Sequence, residues 1–124
     1  METTDSDAID PQALERLRRI GGDALLSNIV ALFTSHAEPA LREAASGLEL
    51  GNFDSVQRIA HALKSSAGNI GAQQVQHLAG RIEQLAEIRE ARQIQPLLTD
   101  LRTAYLRAKA RLAKEVDEGR APLS

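Results

Sequence analysis

The sequence predicts an all-α fold, an antiparallel up-down four-helix bundle with a short extra helix at its N-terminal end, and three observations predict it. Leu and Ala dominate the apolar content, and no run of β-branched residues occurs. Apolar residues recur at helical period over long segments, and Gly or Pro falls where one such segment gives way to the next. At 124 residues the chain is the size of one domain with one core.

The elements follow in order. Residues 1–9 are polar and expected to be loose, and the domain is expected over 10–116. Asp10-Pro11 supplies an N-cap followed by the residue best tolerated at the first helical position, so a short helix is expected from Pro11 to about Arg19. Gly21-Gly22 ends it, and Asp23 opens a long second helix whose apolar stripe is read as Leu25, Ile29, Leu32, Phe33, Ala40 and Ala44. Pro39 cannot donate to the carbonyl of Ser35, which predicts a kink there. Gly51-Asn52 breaks the period, and Asn52 caps a third helix closed by Gly71.

A fourth helix is expected from about Ala72 to Glu90, with Val75, Leu78, Ala79, Ile82, Leu85 and Ala86 on one face. A fifth runs from about Gln93 to Val116, with Leu97, Leu101, Ala104, Tyr105, Ala108 and Leu112 inward. Four long amphipathic helices joined by short connections pack as an antiparallel bundle, with the first helix closing one end. Residues 117–124 form a polar, Pro-containing tail.

Composition excludes several classes of function. Fifteen basic against seventeen acidic residues leave a formal charge of -2, too little positive field to hold a phosphate backbone. Three aromatics, Phe33, Phe53 and Tyr105, make no base-stacking platform, so nucleic acid is not an expected partner. With no cysteine there is no disulfide framework, thiolate nucleophile or sulfur metal site. No apolar run approaches the roughly twenty residues of a membrane span, and the start METTDSDAID lacks signal-peptide regions. A cytoplasmic location is expected, with no membrane contact by this chain.

The third helix carries the chemistry. With about 100° per residue and His61 at zero, Phe53, Val56, Ile59, Ala60, Leu63, Ala67 and Ile70 fall between about 160° and 280° and must face the core. His61 points the other way. Within about 60° of it lie Gln57, Arg58, Lys64, Ser65 and Gly68, none of them apolar. An ordinary solvated face is the bland account, and two features argue for more. Lys64 stands one turn from His61, where an ammonium disfavours a second positive charge on the ring, and a neutral imidazole is a nucleophile. That ammonium also suits several negative oxygens attached to the ring. Ser65 and Gly68 keep the surface low enough for another protein's backbone to approach.

An exposed imidazole with one cation, no base, no carboxylate orienter and no oxyanion donors is half of a catalytic site. Nothing in the chain offers a metal cluster or a phosphate-cradling glycine loop, so no metal ligand is assigned. The histidine is therefore expected to be a substrate and carrier, with the partner bringing the rest. Of the other histidines, His36 is placed on the apolar stripe of the second helix and His77 on the polar face of the fourth, and neither is given a role in chemistry. Gly80 is read as a site of close helix packing.

The stretch Ala60-His61-Ala62-Leu63-Lys64-Ser65-Ser66-Ala67-Gly68-Asn69-Ile70-Gly71-Ala72 closely resembles the signature of histidine-containing phosphotransfer (HPt) domains, A-H-x-L-K-G-S/A-S/A-x-x-L/I-G. The opening DPQALERLRRIGG and the pair Leu32-Phe33 resemble the family's N-terminal pattern, so the likeness spans about residues 10–116. The resemblance implies a bundle that shuttles phosphoryl groups between receiver-domain aspartates in two-component relays. His61 then carries the group, Lys64 is the phosphate-stabilising cation, and Gln57, Arg58, Ser65 and Gly68 form the docking face.

Ser65 stands where many members have glycine. Arg58 and Lys64 make the face basic, which suits a receiver's acidic, magnesium-holding pocket. The cofactor expectation is none of the chain's own, with magnesium in the partner receiver. Response-regulator receivers and a hybrid sensor histidine kinase are the implied partners. Histidine-kinase dimerisation helices also expose a histidine, but there an acidic residue follows and then a Thr/Asn-Pro pair, whereas here Ala62 follows. Self-phosphorylation from ATP is not expected, and a monomer is, because the histidine face must stay open. The alternative is an HPt-like docking module that regulates a partner by binding alone.

Overall fold

The computed structural model describes residues 8–120, and every regular element among them is helical. Four helices follow in order: α1 (Pro11–Glu49), α2 (Phe53–Ile70), α3 (Gln73–Glu87) and α4 (Ala91–Arg120). Each packs on its neighbour in sequence and α1 closes on α4, while among the described residues the backbones of α1 and α3, and of α2 and α4, stand apart on the diagonals. That is the ring order of a four-helix bundle, with one core at its centre.

The expected first and second helices form one helical run broken only at Gly21 (φ −145°, ψ 15°) and Gly22 (φ 71°, ψ −166°). Gly22 carries the positive φ that glycine tolerates without strain. Pro39 keeps helical dihedrals, and the non-helical break within α1 falls at the two glycines. Phe33 and Ala44 keep to the expected stripe, and just after the break burial lies one position from it, at Leu26 and Val30. Leu26, Val30, Phe33, Ala37 and Ala44 are buried, whereas Leu32 is 53% exposed and Leu25 and Ile29 are half-buried. His36, placed on the apolar stripe by the earlier phase, is exposed.

The other stripes fall closer to expectation. In α2, Val56, Ala60, Leu63, Ala67 and Ile70 are buried and Phe53 and Ile59 pack on the core edge. The Asn52 side chain accepts from Ser55 N at 3.2 Å at the start of α2, and Gly71 closes it in the left-handed region at φ 80°. α3 buries Val75, Leu78, Ala79, Ile82 and Ala86 but stops at Glu87, three residues before the expected end. Arg89 (φ 60°) turns the chain there, its guanidinium 5.8 Å from the Phe53 ring centroid. α4 starts earlier and extends to Arg120, so 117–120 are helical where a tail was expected.

The domain also begins earlier than expected, because Ala8 and Ile9 are buried in the core. The rest of the expected loose ends, residues 1–7 and 121–124, lies outside the described residues. Asp10 caps α1 by accepting from Gln12 N at 3.0 Å, and its own N–H donates to the Gly71 carbonyl at 2.8 Å. This ties the start of the domain to the α2–α3 turn. On the other side, Arg18 reaches Glu115, which is 8% exposed and also takes Arg111, and Glu38 accepts from Tyr105 and Lys109 across the α1–α4 seam. No described helix is long and apolar enough to cross a membrane.

Candidate functional site

His61 sits at the middle of α2 with its side chain 62% exposed, on the face opposite the buried stripe. Its ring is not alone. Glu83 of α3 places Oε2 2.6 Å from His61 Nδ1 and Oε1 2.6 Å from Lys64 Nζ, so one carboxylate bridges ring and ammonium. Glu83 is only 19% exposed, wedged between the two helices.

The bridge has electrostatic consequences. The hydrogen bond from Lys64 foremost, with His61 adding to it, holds the Glu83 carboxyl below the usual carboxylate range although burial works the other way. At neutral pH Glu83 is therefore ionised, and a carboxylate only accepts hydrogen bonds. In the neutral ring the contact assigns the proton to Nδ1, which donates to Oε2, and Nε2 then carries the lone pair. This is the tautomer a nucleophilic Nε2 needs.

Two sequence expectations are corrected here. The ring was read as having a bare cation beside it and no carboxylate orienter, whereas Glu83 is an orienter and Lys64 is half of an ion pair. Of the two expected cations of the face, only exposed Arg58 has no acidic partner among the described residues. Glu83 borders the α3 stripe beside Ile82, so a single-helix wheel reads it as another solvated acid. Only the pairing of α2 with α3 reveals what it meets.

Gln57 is half-buried, Arg58 and Ser65 are exposed, and Gly68 is half-buried, all on the His61 side of α2. Gly68 was expected to keep the surface low, but a Cβ there would come within 2.8 Å of Gln76 Nε2. The space above Gly68 is occupied by a side chain of α3. His77 is exposed on α3, as read, and among the described residues no group of three or more His, Cys, Asp or Glu could hold a metal ion.

Chemically, the arrangement offers an accessible nucleophilic nitrogen, a fixed proton on the opposite ring nitrogen and a cation one turn away.

Comparison with known proteins places the fold in a known family. The family model described as Hpt domain matches residues 28–118. No curated protein sequence matches the chain. Among solved structures, the fold is similar to histidine-containing phosphotransfer protein B from Pseudomonas aeruginosa PAO1, at 19% identity and TM-score 0.84, covering 90% of this chain and 96% of that one. It is also similar to a histidine-containing phosphotransfer protein from maize, at 26% identity and TM-score 0.79, covering 94% and 89%.

Proposed function

Given that the chain belongs to the Hpt domain family, we propose that it accepts a phosphoryl group on His61 Nε2 from a receiver-domain aspartate and passes it to a second receiver in a two-component phosphorelay. The observation that supports this reading is the Glu83 bridge to Nδ1 of a ring whose side chain is 62% exposed, an arrangement that suits Nε2 as the nucleophile.

In the forward step the Nε2 lone pair attacks the phosphorus of the aspartyl phosphate. The Nε2–P bond forms as the acyl O–P bond breaks, and the electron pair leaves with the receiver's carboxylate. The ring, protonated at Nδ1 and phosphorylated at Nε2, becomes cationic, and Glu83 already stands 2.6 Å from Nδ1 to meet that charge. Lys64 lies one turn away to share its ammonium with the phosphoryl oxygens. Transfer onward reverses these events on a second aspartate.

The chain is a phosphocarrier without machinery to split ATP, and magnesium is supplied by the receiver. Gln57, Arg58, Ser65 and Gly68 form the docking face. Receivers and a hybrid sensor histidine kinase are the partners, and the chain works as a cytoplasmic monomer with His61 open. The full architecture we assign is an up-down antiparallel bundle in which 11–20 act as the short extra helix ahead of the Gly21-Gly22 break. Time-resolved transfer from a phosphorylated receiver tests the reading: the wild-type chain drains the receiver's phosphate and His61→Gln does not. Equal drainage by both proteins would refute it.

A further inference from the structure

The contacts between α2 and α3 run in antiparallel register, with Gly68 against Gln76, Lys64 against Gly80 and His61 against Glu83. A glycine on each helix thus faces a long polar side chain of the other. At Gly80 a Cβ would lie 3.3 Å from Lys64 Cδ, closer than ordinary van der Waals contact, and Lys64 Cδ is the one atom it would meet within 4 Å. The half-buried Gly80 lies one turn before Glu83 on α3, the position that Lys64 must cross to reach it.

We propose that Gly80 is a positioning residue, whose missing side chain leaves a shallow seat for the Lys64 stem and so fixes the ammonium between Glu83 and the phosphoryl site on His61. The inference rests on the phosphocarrier reading above for its functional meaning, while the seat itself is a matter of α2–α3 packing. Three points carry it. Glycine is a poor residue for the interior of α3, and nothing in its backbone requires it, since the positive-φ glycines are Gly22, Gly51 and Gly71. The atom its absent Cβ makes room for belongs to Lys64 and not to core. Lysine carries one of the largest side-chain entropies, so laying its stem in a seat reduces what is lost when the ammonium is held in place. An unseated Lys64 would sample solvent, leaving both Glu83 and the phosphoryl oxygens partly unmet.

The test compares wild type with Gly80→Ala and Gly80→Leu, each also in a Lys64→Ala background. His61 is phosphorylated with phosphoramidate, whose P–N bond breaks as the Nε2–P bond forms and ammonia leaves, so no receiver is needed. Phosphohistidine decay is followed by mass spectrometry, and the Glu83 carboxyl is titrated by carbon NMR.

The proposal expects Gly80→Leu to shorten the phosphohistidine lifetime severalfold and to move the Glu83 titration up toward the ordinary carboxylate range. Gly80→Ala should do the same to a smaller degree while raising the melting temperature. Both effects should vanish in the Lys64→Ala background, which a merely structural role for Gly80 would not produce. Unchanged Glu83 titration in folded Gly80→Ala and Gly80→Leu proteins, or equal effects with and without Lys64, would overturn the seat. Failure of phosphoramidate to label wild-type His61 would instead count against the carrier reading, and the Glu83 titration would still decide the seat.

Discussion

Glu83 holds His61 from a neighbouring helix, its Oε2 2.6 Å from Nδ1 across the α2–α3 seam. The pairing turns an exposed histidine into one with a defined tautomer, and Glu83→Gln is accordingly expected to slow phosphorylation of His61 roughly ten-fold, in line with the ~1.5 kcal/mol of a hydrogen bond to a charged group. Single-turnover transfer from a phosphorylated receiver measures the rate, and nitrogen NMR of the ring reports the proton's position. An unchanged rate together with an unchanged tautomer would remove Glu83 from the site.

His61→Gln should abolish phosphoryl acceptance and leave the fold intact. The side chain is 62% exposed and contributes nothing to the core, so the melting temperature is expected to stay within about 2 °C of wild type. Circular dichroism during a thermal scan checks this, and a large drop would contradict the placement of His61 on the open face.

Lys64→Ala removes the cation without disturbing the buried stripe of α2. The expected result is a phosphohistidine lifetime shortened severalfold with receiver binding little altered, measured by label decay and by titration calorimetry. A lifetime equal to wild type would assign Lys64 to structure alone.

Acid should uncouple the site through Glu83. Its carboxyl is depressed in the folded protein below the ordinary value of 4.5, first by the Lys64 hydrogen bond. A depressed carboxylate contributes stability that is complete above its unfolded value and is lost as pH falls through the folded one. Denaturant unfolding at stepped pH should therefore show wild type losing more stability below about pH 4.5 than Lys64→Ala loses. Parallel losses would mean that the pair adds nothing to folding.

Gly71→Ala tests the fold away from the chemistry. Gly71 has φ 80°, and an added Cβ would stand 2.6 Å from Ala13 Cβ and 3.1 Å from the Asp10 carbonyl. Strain of this kind costs about 1–3 kcal/mol, and the variant should unfold earlier in denaturant while transferring normally per folded molecule. Wild-type stability would show that the turn and the domain's N-terminal end can shift apart at little cost.

The elements differ in how clearly the sequence announced them. The α2 wheel was legible because its apolar residues form one unbroken stripe, and that stripe sent His61, Gln57, Arg58, Ser65 and Gly68 to the opposite side. The stripe of α1 was less legible because Leu25-Leu26, Ile29-Val30 and Leu32-Phe33 are adjacent apolar pairs that fit two helical phases, and packing buries Leu26, Val30 and Phe33 while leaving Leu32 and His36 outside. Ala8 and Ile9 looked like the end of a polar leader, yet the Asp10 hydrogen bond to Gly71 brings them onto the core. Glu83 and the Gly80 contact were illegible for a different reason. Both are properties of a pair of helices, and their rotation about each other is set by packing that no single-helix pattern contains.

Phosphoryl acceptance is decided by incubating the chain with a phosphorylated receiver domain and magnesium, mapping the transferred phosphoryl group, and determining its acid and alkali stability. The account predicts an acid-labile, alkali-stable label on His61. No label from several receivers, with one of them still binding, would contradict it and make the chain a docking module.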